Sequence, residues 1–196
     1  MLNAYMKASL KMAAVLAATV SCAIAAPVTY NIDPAHTYPS FEADHMGISV
    51  WRGKLTKTTG KVTLDKTTRT GTVEVTIDLA SIDFGLDAMN SWARGDKFFD
   101  VSKYPTATYK GELIGFSDGV PSQVVGELSL HGVTKPVALK INAFRCIPHP
   151  LFKRDLCGAD ASATFNRADF SLDAGRLYGF KMEVALRIQV EAVEAE

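Results

Sequence analysis

A long apolar alternation near the C-terminus constrains the fold more than any other feature of the sequence. In "GFKMEVALRIQVEA", every even position from 180 to 190 is apolar, whereas positions 181, 183, 187 and 189 are polar. Neighbouring residues of a β-strand point to opposite faces, so this pattern predicts a strand with one buried and one hydrated face. Such strands favour an antiparallel sheet closed into a barrel over a parallel sheet, whose strands are apolar on both faces.

The same alternation appears in "GTVEVTIDLAS" and "KPVALKINAF", and weaker strand patterns recur from Val28 onward. Turn residues separate these segments. In the turn after position 130, Gly132 is suited to a positive φ, and Pro136 is expected to begin the next strand. The sequence therefore predicts an all-β fold, an antiparallel β-barrel of about eight strands.

One segment departs from the alternation and is rich in aromatic residues: "LDAMNSWARGDKFFDVSKYP". Asp87 is suited to the N-cap of a short helix that continues through Ala93 and ends at Gly95. Asp96 is expected to cap a second turn. Because the segment lies between two strands, we predict that it closes one end of the barrel, either as plain core or as the rim of a binding site.

The first 25 residues have the properties of a signal peptide. Lys7 and Lys11 precede an apolar run too short to span a bilayer, and small residues stand at the positions that a signal peptidase reads. We expect cleavage after Ala25, one mature domain over residues 26–196, and a periplasmic location. No long apolar run follows, so no integral membrane segment is expected after cleavage.

The charge of the expected mature chain excludes two classes of main partner. Without Lys7 and Lys11, the 21 basic residues become 19, against 21 acidic residues. Nucleic acids and anionic membranes both require a basic face. Neither is therefore expected as the main partner.

Of the three cysteines, two are expected to form a disulfide bond. Cys22 lies in the predicted signal peptide, and lipidation there is disfavoured because the preceding residues lack the leucine of such sites. Cys146 and Cys157 then remain as a pair in a compartment that permits disulfides. A metal or catalytic role is the competing interpretation, but it needs further ligands, and the segment between the two cysteines offers only His149.

The chain resembles the YceI-like family of exported lipid-binding or polyisoprenoid-binding proteins. The resemblance rests on "YNIDPAHTYPSFEADHMG", "ASIDFG", "FFDVSKYPTATYKG", "GELSLHGVTKPVAL" and "FNRADFSLD", which follow one another in the family's order. It implies a lipocalin-like antiparallel β-barrel around an apolar tunnel that binds a long isoprenoid chain, such as a polyprenyl lipid or a quinone tail. It also suggests a homodimer.

Two segments depart from the family pattern. Where many members have Asp-x-His-Leu on a small helix, this chain has Asn90, Ser91, Trp92 and Ala93. The family histidine is therefore absent at this position, and a larger apolar ring that can stack on a ligand replaces it. The insertion "CIPHPLFKRDLC" is not general to the family either, so its role must be inferred from this sequence.

The tunnel implied by the resemblance suggests candidate ligand-binding residues, although plain core packing is the competing explanation for each of them. The wall candidates are apolar residues expected to face inward: Phe41, Ile48, Val75, Ile77, Leu128, Leu130 and Val184, with Val137, Leu139, Met182 and Leu186 as further positions. The rim candidates are Met89, Trp92, Phe98 and Phe99. Burial of a methylene group contributes about 0.8 kcal/mol, so a short isoprenoid chain binds without charged contacts.

Polar residues give no catalytic or metal-binding constellation. The histidines at positions 36, 45, 131 and 149 have no recognised ligand spacing, and no strand-turn-helix elbow frames a serine nucleophile. His36 is placed to contact Asp33, and His131 is placed to hold backbone carbonyls. Asp96 and Asp100 are expected to cap or brace the aromatic-rich segment.

We therefore expect a periplasmic carrier of an isoprenoid lipid, without catalysis and without a required cofactor, whose bound molecule is the isoprenoid or quinone itself. Two alternatives stay open at this point. One is a redox- or stress-linked factor that acts with a bound quinone. The other is an exported domain whose barrel is packed solid and binds nothing.

Overall fold

The computed structural model describes residues 26–196, in which strands form a closed antiparallel barrel with one short α-helix. The strands are β1 (Val28–Ile32), β2 (Tyr38–His45), β3 (Ser49–Leu55), β4 (Thr58–Asp65), β5 (Thr70–Asp78), β6 (Ile82–Asp83), β7 (Thr106–Ile114), β8 (Gln123–Leu130), β9 (Val133–Pro136), β10 (Leu139–Pro148), β11 (Asp155–Asn166) and β12 (Glu183–Glu194). Helix α1 spans Asp87–Arg94, and 3₁₀ helices span Leu79–Ser81, Arg167–Phe170 and Arg176–Tyr178. The predicted signal peptide lies outside the described residues, so it stays a prediction.

Eight strands close the barrel in the order β1, β4, β5, β7, β8, β10, β11 and β12. The ring closes where Tyr30 of β1 pairs with Glu194 of β12. Strand β2 pairs with the part of β12 that β1 does not cover. At the same end, β3 pairs with β2 and β6 pairs with β3, which widens the wall. Strand β9 pairs with β8. The predicted fold, an antiparallel barrel of about eight strands, is confirmed.

The strand register explains why the apolar alternation fills the interior. Val75 pairs with Gly60 on one side and with Tyr109 on the other, and Tyr109 in turn pairs with Leu128. Directly paired residues of antiparallel strands point to the same face, so this row lies on the inner surface of four adjacent strands. Full burial of one such aliphatic side chain contributes about 1.5–3 kcal/mol.

One end of the barrel carries most of the irregular structure. Because neighbouring strands run in opposite directions, the β2–β3 turn, α1, the β8–β9 turn and the β11–β12 connection share this end, which we call the helix end. The β10–β11 hairpin lies at the opposite end. Any opening framed by α1 is therefore remote from that hairpin.

Two strand boundaries differ from the sequence-based expectation. The C-terminal alternation predicted a strand from position 180, but β12 begins at Glu183, because Gly175 and Gly179 adopt φ values of 83° and 84° that interrupt extended structure before it. Pro136 is the last residue of β9 and not the start of a strand. The positive φ expected at Gly132 is observed, at 78°.

Candidate functional site

A cavity of about 270 Å³ lies inside the barrel, and its wall is predominantly apolar. Each barrel strand contributes to the wall; one residue from each is Tyr30, Val62, Val75, Tyr109, Leu128, Leu139, Ala161 and Ile188. Ligand pockets in proteins commonly measure about 300–1,000 Å³, with apolar walls and a few placed polar groups. The cavity is close to the lower end of that range, which suits a slender apolar molecule.

Tyr109 supplies a neutral polar group within this wall. Its hydroxyl donates a hydrogen bond to the backbone carbonyl of Val137 at 2.8 Å. A Cβ atom at Gly126 would lie 2.8 Å from that hydroxyl, so the glycine makes room for the tyrosine across the neighbouring strand. Burial raises the pKa of Tyr109 to about 12, because the phenolate is poorly solvated there.

Two threonines of the wall differ in how their hydroxyl groups are satisfied. Thr37 Oγ1 donates to the Glu191 carbonyl at 3.2 Å and accepts from the Glu191 amide at 3.1 Å. Thr58 is 1% exposed, and its Oγ1 has no hydrogen-bond partner within residues 26–196. A buried hydroxyl without a partner costs about 1–3 kcal/mol.

Arg167 places a guanidinium group in the wall at the helix end. Its side chain donates to the backbone carbonyls of Leu172 and Ala174, and the guanidinium carbon lies 5.8 Å from the ring centroid of Phe98. The residue is 7% exposed. Burial lowers the pKa of Arg167 below its usual value, but a guanidinium remains charged in proteins.

Aromatic side chains of the helix end frame the opening of the cavity. Trp92 of α1 stacks on Phe98 with ring centroids 5.1 Å apart, and Phe98 contacts Phe99 edge-on at 4.7 Å. All three line the cavity, and Trp92 is also 42% exposed. Trp92 therefore contacts both the interior and the solvent, as a residue at a cavity mouth does.

A second aromatic group covers the β2–β3 side of this end. His45 stacks on Trp51 at 4.2 Å, and Phe180 contacts both rings edge-on, at 4.8 Å and 5.9 Å. Phe84 contacts Trp51 at 6.4 Å and Phe41 at 5.4 Å. Edge-to-face packing of this kind holds aromatic rings in fixed relative positions.

Helix α1 is held against β6 by Asn90, which is 6% exposed. Asn90 Oδ1 accepts from the Phe84 amide at 2.7 Å, and its Nδ2 donates to Asp83 Oδ1 at 3.3 Å. Trp92, on the same short helix, is thereby held in a fixed position at the mouth. The Asn90 side chain therefore has a structural role, on the same helix on which Trp92 replaces the family histidine.

The ends of α1 differ partly from expectation. The N-cap is Leu86, without a side-chain cap, and Asp87 is already the first helical residue, so the predicted capping role of Asp87 is wrong. Its carboxylate instead lies in the first turn, where the helix dipole favours a negative charge. Gly95 is the C-cap, as predicted. The turn predicted after Asp96 is present as a series of hydrogen-bonded turns, but among the described residues no hydrogen bond to the Asp96 side chain caps it.

Nine of the eleven candidate ligand-binding residues line the cavity: Phe41, Val75, Ile77, Trp92, Phe98, Phe99, Leu128, Leu130 and Val184. Ile48 is 75% exposed in the β2–β3 turn, so the prediction that it faces inward is wrong. Met46 and Gly47, just before it, adopt φ values of 54° and 72°, and this turn breaks the alternation. Met89 is half-buried on α1 and is not among the lining residues. Ligand contact by any of the eleven stays a prediction.

The histidines occupy separate positions. His36 Nδ1 lies 2.7 Å from Asp33 Oδ2, and this contact raises the pKa of His36 and lowers that of Asp33. His131 Nδ1 lies 3.3 Å from the carbonyl oxygen of Phe170, in agreement with the role predicted for it. His149 Nδ1 accepts from the amides of Leu151 and Phe152 in the β10–β11 hairpin. Residues 26–196 contain no group of three or more potential metal ligands.

Asp96 and Asp100 make local contacts. Asp96 Oδ2 lies 3.7 Å from Lys97 Nζ, and both side chains are exposed. Asp100 Oδ1 accepts from Ser102 Oγ at 2.8 Å, and its carbonyl accepts from the Lys103 and Tyr104 amides. Asp100 therefore braces the loop after α1.

Cys146 and Cys157 form a disulfide bond between directly paired residues of β10 and β11. Cys157 is 7% exposed and lines the cavity near the end opposite α1. The predicted bridge is confirmed. It closes a hairpin whose tip carries Leu151, 84% exposed, and Phe152, 49% exposed.

The sequence-based interpretation missed several residues of the wall, among them Trp51, Phe84, Tyr109 and Arg167. For Arg167 a signal exists. In β11 and the 3₁₀ helix after it, Ala161, Phe165 and Arg167 share the odd, inward phase. Charged residues are rarely buried, so a charged residue at a position where the alternation predicts an inward side chain indicates a candidate functional residue.

The model of the YceI-like domain matches residues 30–192. A UPF0312 protein from Pseudomonas aeruginosa is 30% identical over 176 residues, which cover 89% of this chain and 91% of the relative. A UPF0312 protein from Vibrio cholerae is 30% identical over 187 residues, covering 93% of this chain and 97% of the relative.

Two solved structures share the fold. BcnA from Burkholderia cenocepacia superposes with a TM-score of 0.65 at 21% identity, over 82% of this chain and 99% of BcnA. A polyisoprenoid binding domain from Saccharophagus degradans, implicated in plant cell wall breakdown, superposes with a TM-score of 0.62 at 19% identity, over 86% of this chain and 99% of that domain. Within residues 26–196, the only α-helix is much too short to cross a bilayer.

Proposed function

This chain belongs to the YceI-like domain family, and we propose that its barrel binds and carries a long-chain isoprenoid lipid, of the polyprenyl or quinone type, without catalysing a reaction. The observation that carries the proposal is the apolar cavity of about 270 Å³ inside a closed barrel. A barrel packed solid, the alternative left open by the sequence, would have no such volume.

The physics of the cavity favours a chain-like apolar ligand. Each buried methylene contributes about 0.8 kcal/mol, so a few isoprene units supply the binding free energy without ion pairs. The curved wall offers few hydrogen-bonding groups, which suits a hydrocarbon better than a sugar, a nucleotide or a peptide. Trp92 and Phe98 at the mouth supply flat surfaces on which a chain or a ring can pack.

One of the related structures supports the same ligand class. The related fold from Saccharophagus degradans is a polyisoprenoid binding domain. A periplasmic carrier also accords with the predicted signal peptide and with a disulfide bond, which persists in oxidising compartments. The ligand enters and leaves at the helix end, where the wall reaches solvent through Trp92.

The first test is the identity of a bound molecule. Protein exported by cells that express the full chain is measured by native mass spectrometry, then extracted with organic solvent, and the extract is analysed by mass. We expect one molecule per barrel, with the mass of an isoprenoid lipid. Protein that carries nothing and takes up no prenyl compound would rule the proposal out.

A matched pair of variants tests whether the cavity is the binding site. Ala161 lies in the wall between Ile141 and Ile188, so Ala161→Phe places a ring in the space that a ligand would occupy. We expect at least about a tenfold loss of lipid affinity with the fold retained, because the ring fills an existing void. Thr164→Phe, an outward position on the same strand, is the control and should bind like wild type.

A further inference from the structure

Arg167 is a buried cation without a direct salt bridge among the described residues; the carboxylate of Asp173, an exposed residue just after the 3₁₀ helix, acts on its charge only from a distance. The residue is 7% exposed and lines a predominantly apolar wall, in which Asp44 is the other charged residue. None of the ion pairs formed within residues 26–196 includes it. A buried charge without a counter-ion is costly, and proteins seldom keep one unless a partner compensates it.

The guanidinium group also has N–H donors that the hydrogen bonds of the described residues do not use. A guanidinium has five N–H donors in a rigid plane. Two of its nitrogens donate to the carbonyls of Leu172 and Ala174, which fixes the orientation of the group. The other N–H groups are not used by any hydrogen bond of the described chain, so they are free to meet a ligand.

We propose that Arg167 binds the anionic head group, a carboxylate or a phosphate, of the lipid in the barrel. The proposal rests on the proposed function and narrows it to acidic amphiphiles. A carboxylate or phosphate oxygen accepts from a guanidinium through short, charge-assisted bonds, often two at once. It neutralises the buried charge, which a neutral ketone or alcohol cannot do.

The position of Arg167 also sets the direction in which the ligand lies. Trp92, Phe98 and Arg167 follow one another from the solvent into the wall at the helix end. The Trp92 and Phe98 ring centroids are 5.1 Å apart, and the guanidinium carbon of Arg167 lies 5.8 Å from the Phe98 centroid. The head group therefore lies just inside the mouth, beneath the Trp92 ring. The chain extends from there along the apolar wall toward Cys157.

The test compares an isoprenoid acid with its methyl ester, which share one chain and differ in charge. Binding is followed by intrinsic fluorescence, because Trp51 and Trp92 both line the cavity. We expect wild-type protein to bind the acid roughly tenfold to a hundredfold more tightly than the ester. A monophosphate with the same chain, measured in parallel, shows which of the two anions the site prefers.

Substitutions then assign the preference to Arg167. Arg167→Gln should reduce the affinity for the acid to that for the ester. Arg176→Gln, at an exposed arginine outside the cavity wall, is the control and should keep the preference. Arg167→Lys retains the positive charge but not the planar guanidinium, and it should keep part of the preference for the acid over the ester. If Arg167→Gln fails to fold, Arg167→Lys and the comparison of acid with ester in wild type still test the proposal.

The outcomes separate this proposal from the proposed function. Equal binding of acid and ester by wild type, or an undiminished preference in Arg167→Gln, would overturn the role of Arg167 while lipid binding stands. Arg167 would then serve only to hold the backbone at Leu172 and Ala174. Binding of neither compound would contradict the lipid-binding function and this proposal with it.

Discussion

Single polar atoms affect the stability of this protein because they are buried in a cavity wall that is predominantly apolar. Tyr109 and Thr37 satisfy their hydroxyl groups within the barrel, whereas Thr58 does not. In an apolar environment the difference between a satisfied and an unsatisfied group is worth about 1–3 kcal/mol. Substitutions at these positions should therefore change stability in opposite directions, although the residues are all buried.

We expect Thr58→Val to stabilise the protein by about 1 kcal/mol, because valine has the same shape and removes a hydroxyl without a partner. Thr37→Val is the control and should destabilise by about 1–3 kcal/mol, since it breaks both contacts with Glu191. Urea unfolding of ligand-free protein measures both. Equal destabilisation by the two variants would show that Thr58 has a partner after all.

Tyr109 should make stability fall at high pH. Its pKa is about 12 in the folded protein and 10.0 ordinarily, so above pH 10 the unfolded chain has lost a proton that the folded one keeps. Stability is therefore complete below pH 10 and declines as the pH rises toward 12, by about 2–3 kcal/mol in total. Unfolding at several pH values should show that Tyr109→Phe lacks this component. Tyr178→Phe, at a 77% exposed position, should retain it.

At the scale of elements, strand interiors could be predicted from the sequence and their ends could not. The alternation correctly placed Val75, Ile77 and Val184 on the inner face, because every second residue of a continuous strand shares that face. Ile48 was placed wrongly because the positive φ values before it belong to a turn whose geometry depends on pairing between strands. The apolar pattern also gave no sign that the interior is hollow.

The disulfide-linked hairpin is the element whose contribution is simplest to measure. Cys146 and Cys157 are 11 residues apart, and a cross-link over such a loop stabilises by about 3 kcal/mol in the chain-entropy model. We expect the double variant Cys146→Ala, Cys157→Ala to lose about that much in urea unfolding. In oxidised wild type, neither cysteine should react with a thiol reagent. Labelling without reductant would show that the bond does not form in the protein.

At the scale of the whole molecule, the cavity couples ligand binding to stability. A ligand that binds only the folded barrel stabilises it by about 2.7 kcal/mol at a concentration one hundred times its Kd. For a chain of this size, that corresponds to a rise in Tm of roughly 5–10 °C. Protein stripped of lipid should melt lower by this amount and recover when a prenyl lipid returns. Ala161→Phe should show no recovery, and a full response in that variant would place the ligand elsewhere.

The seam between β1 and β12 joins Tyr30 to Glu194, near the two ends of the residues that the structure describes. A contact so distant in sequence carries a large loop-closure entropy, which opposes its formation until the strands between are in place. A chain that lacks the last strand leaves β11 on one side, and β1 and β2 on the other side, without their partner strand. A fragment that ends before β12 therefore presents open edges at β1, β2 and β11. Open strand edges are templates for aggregation.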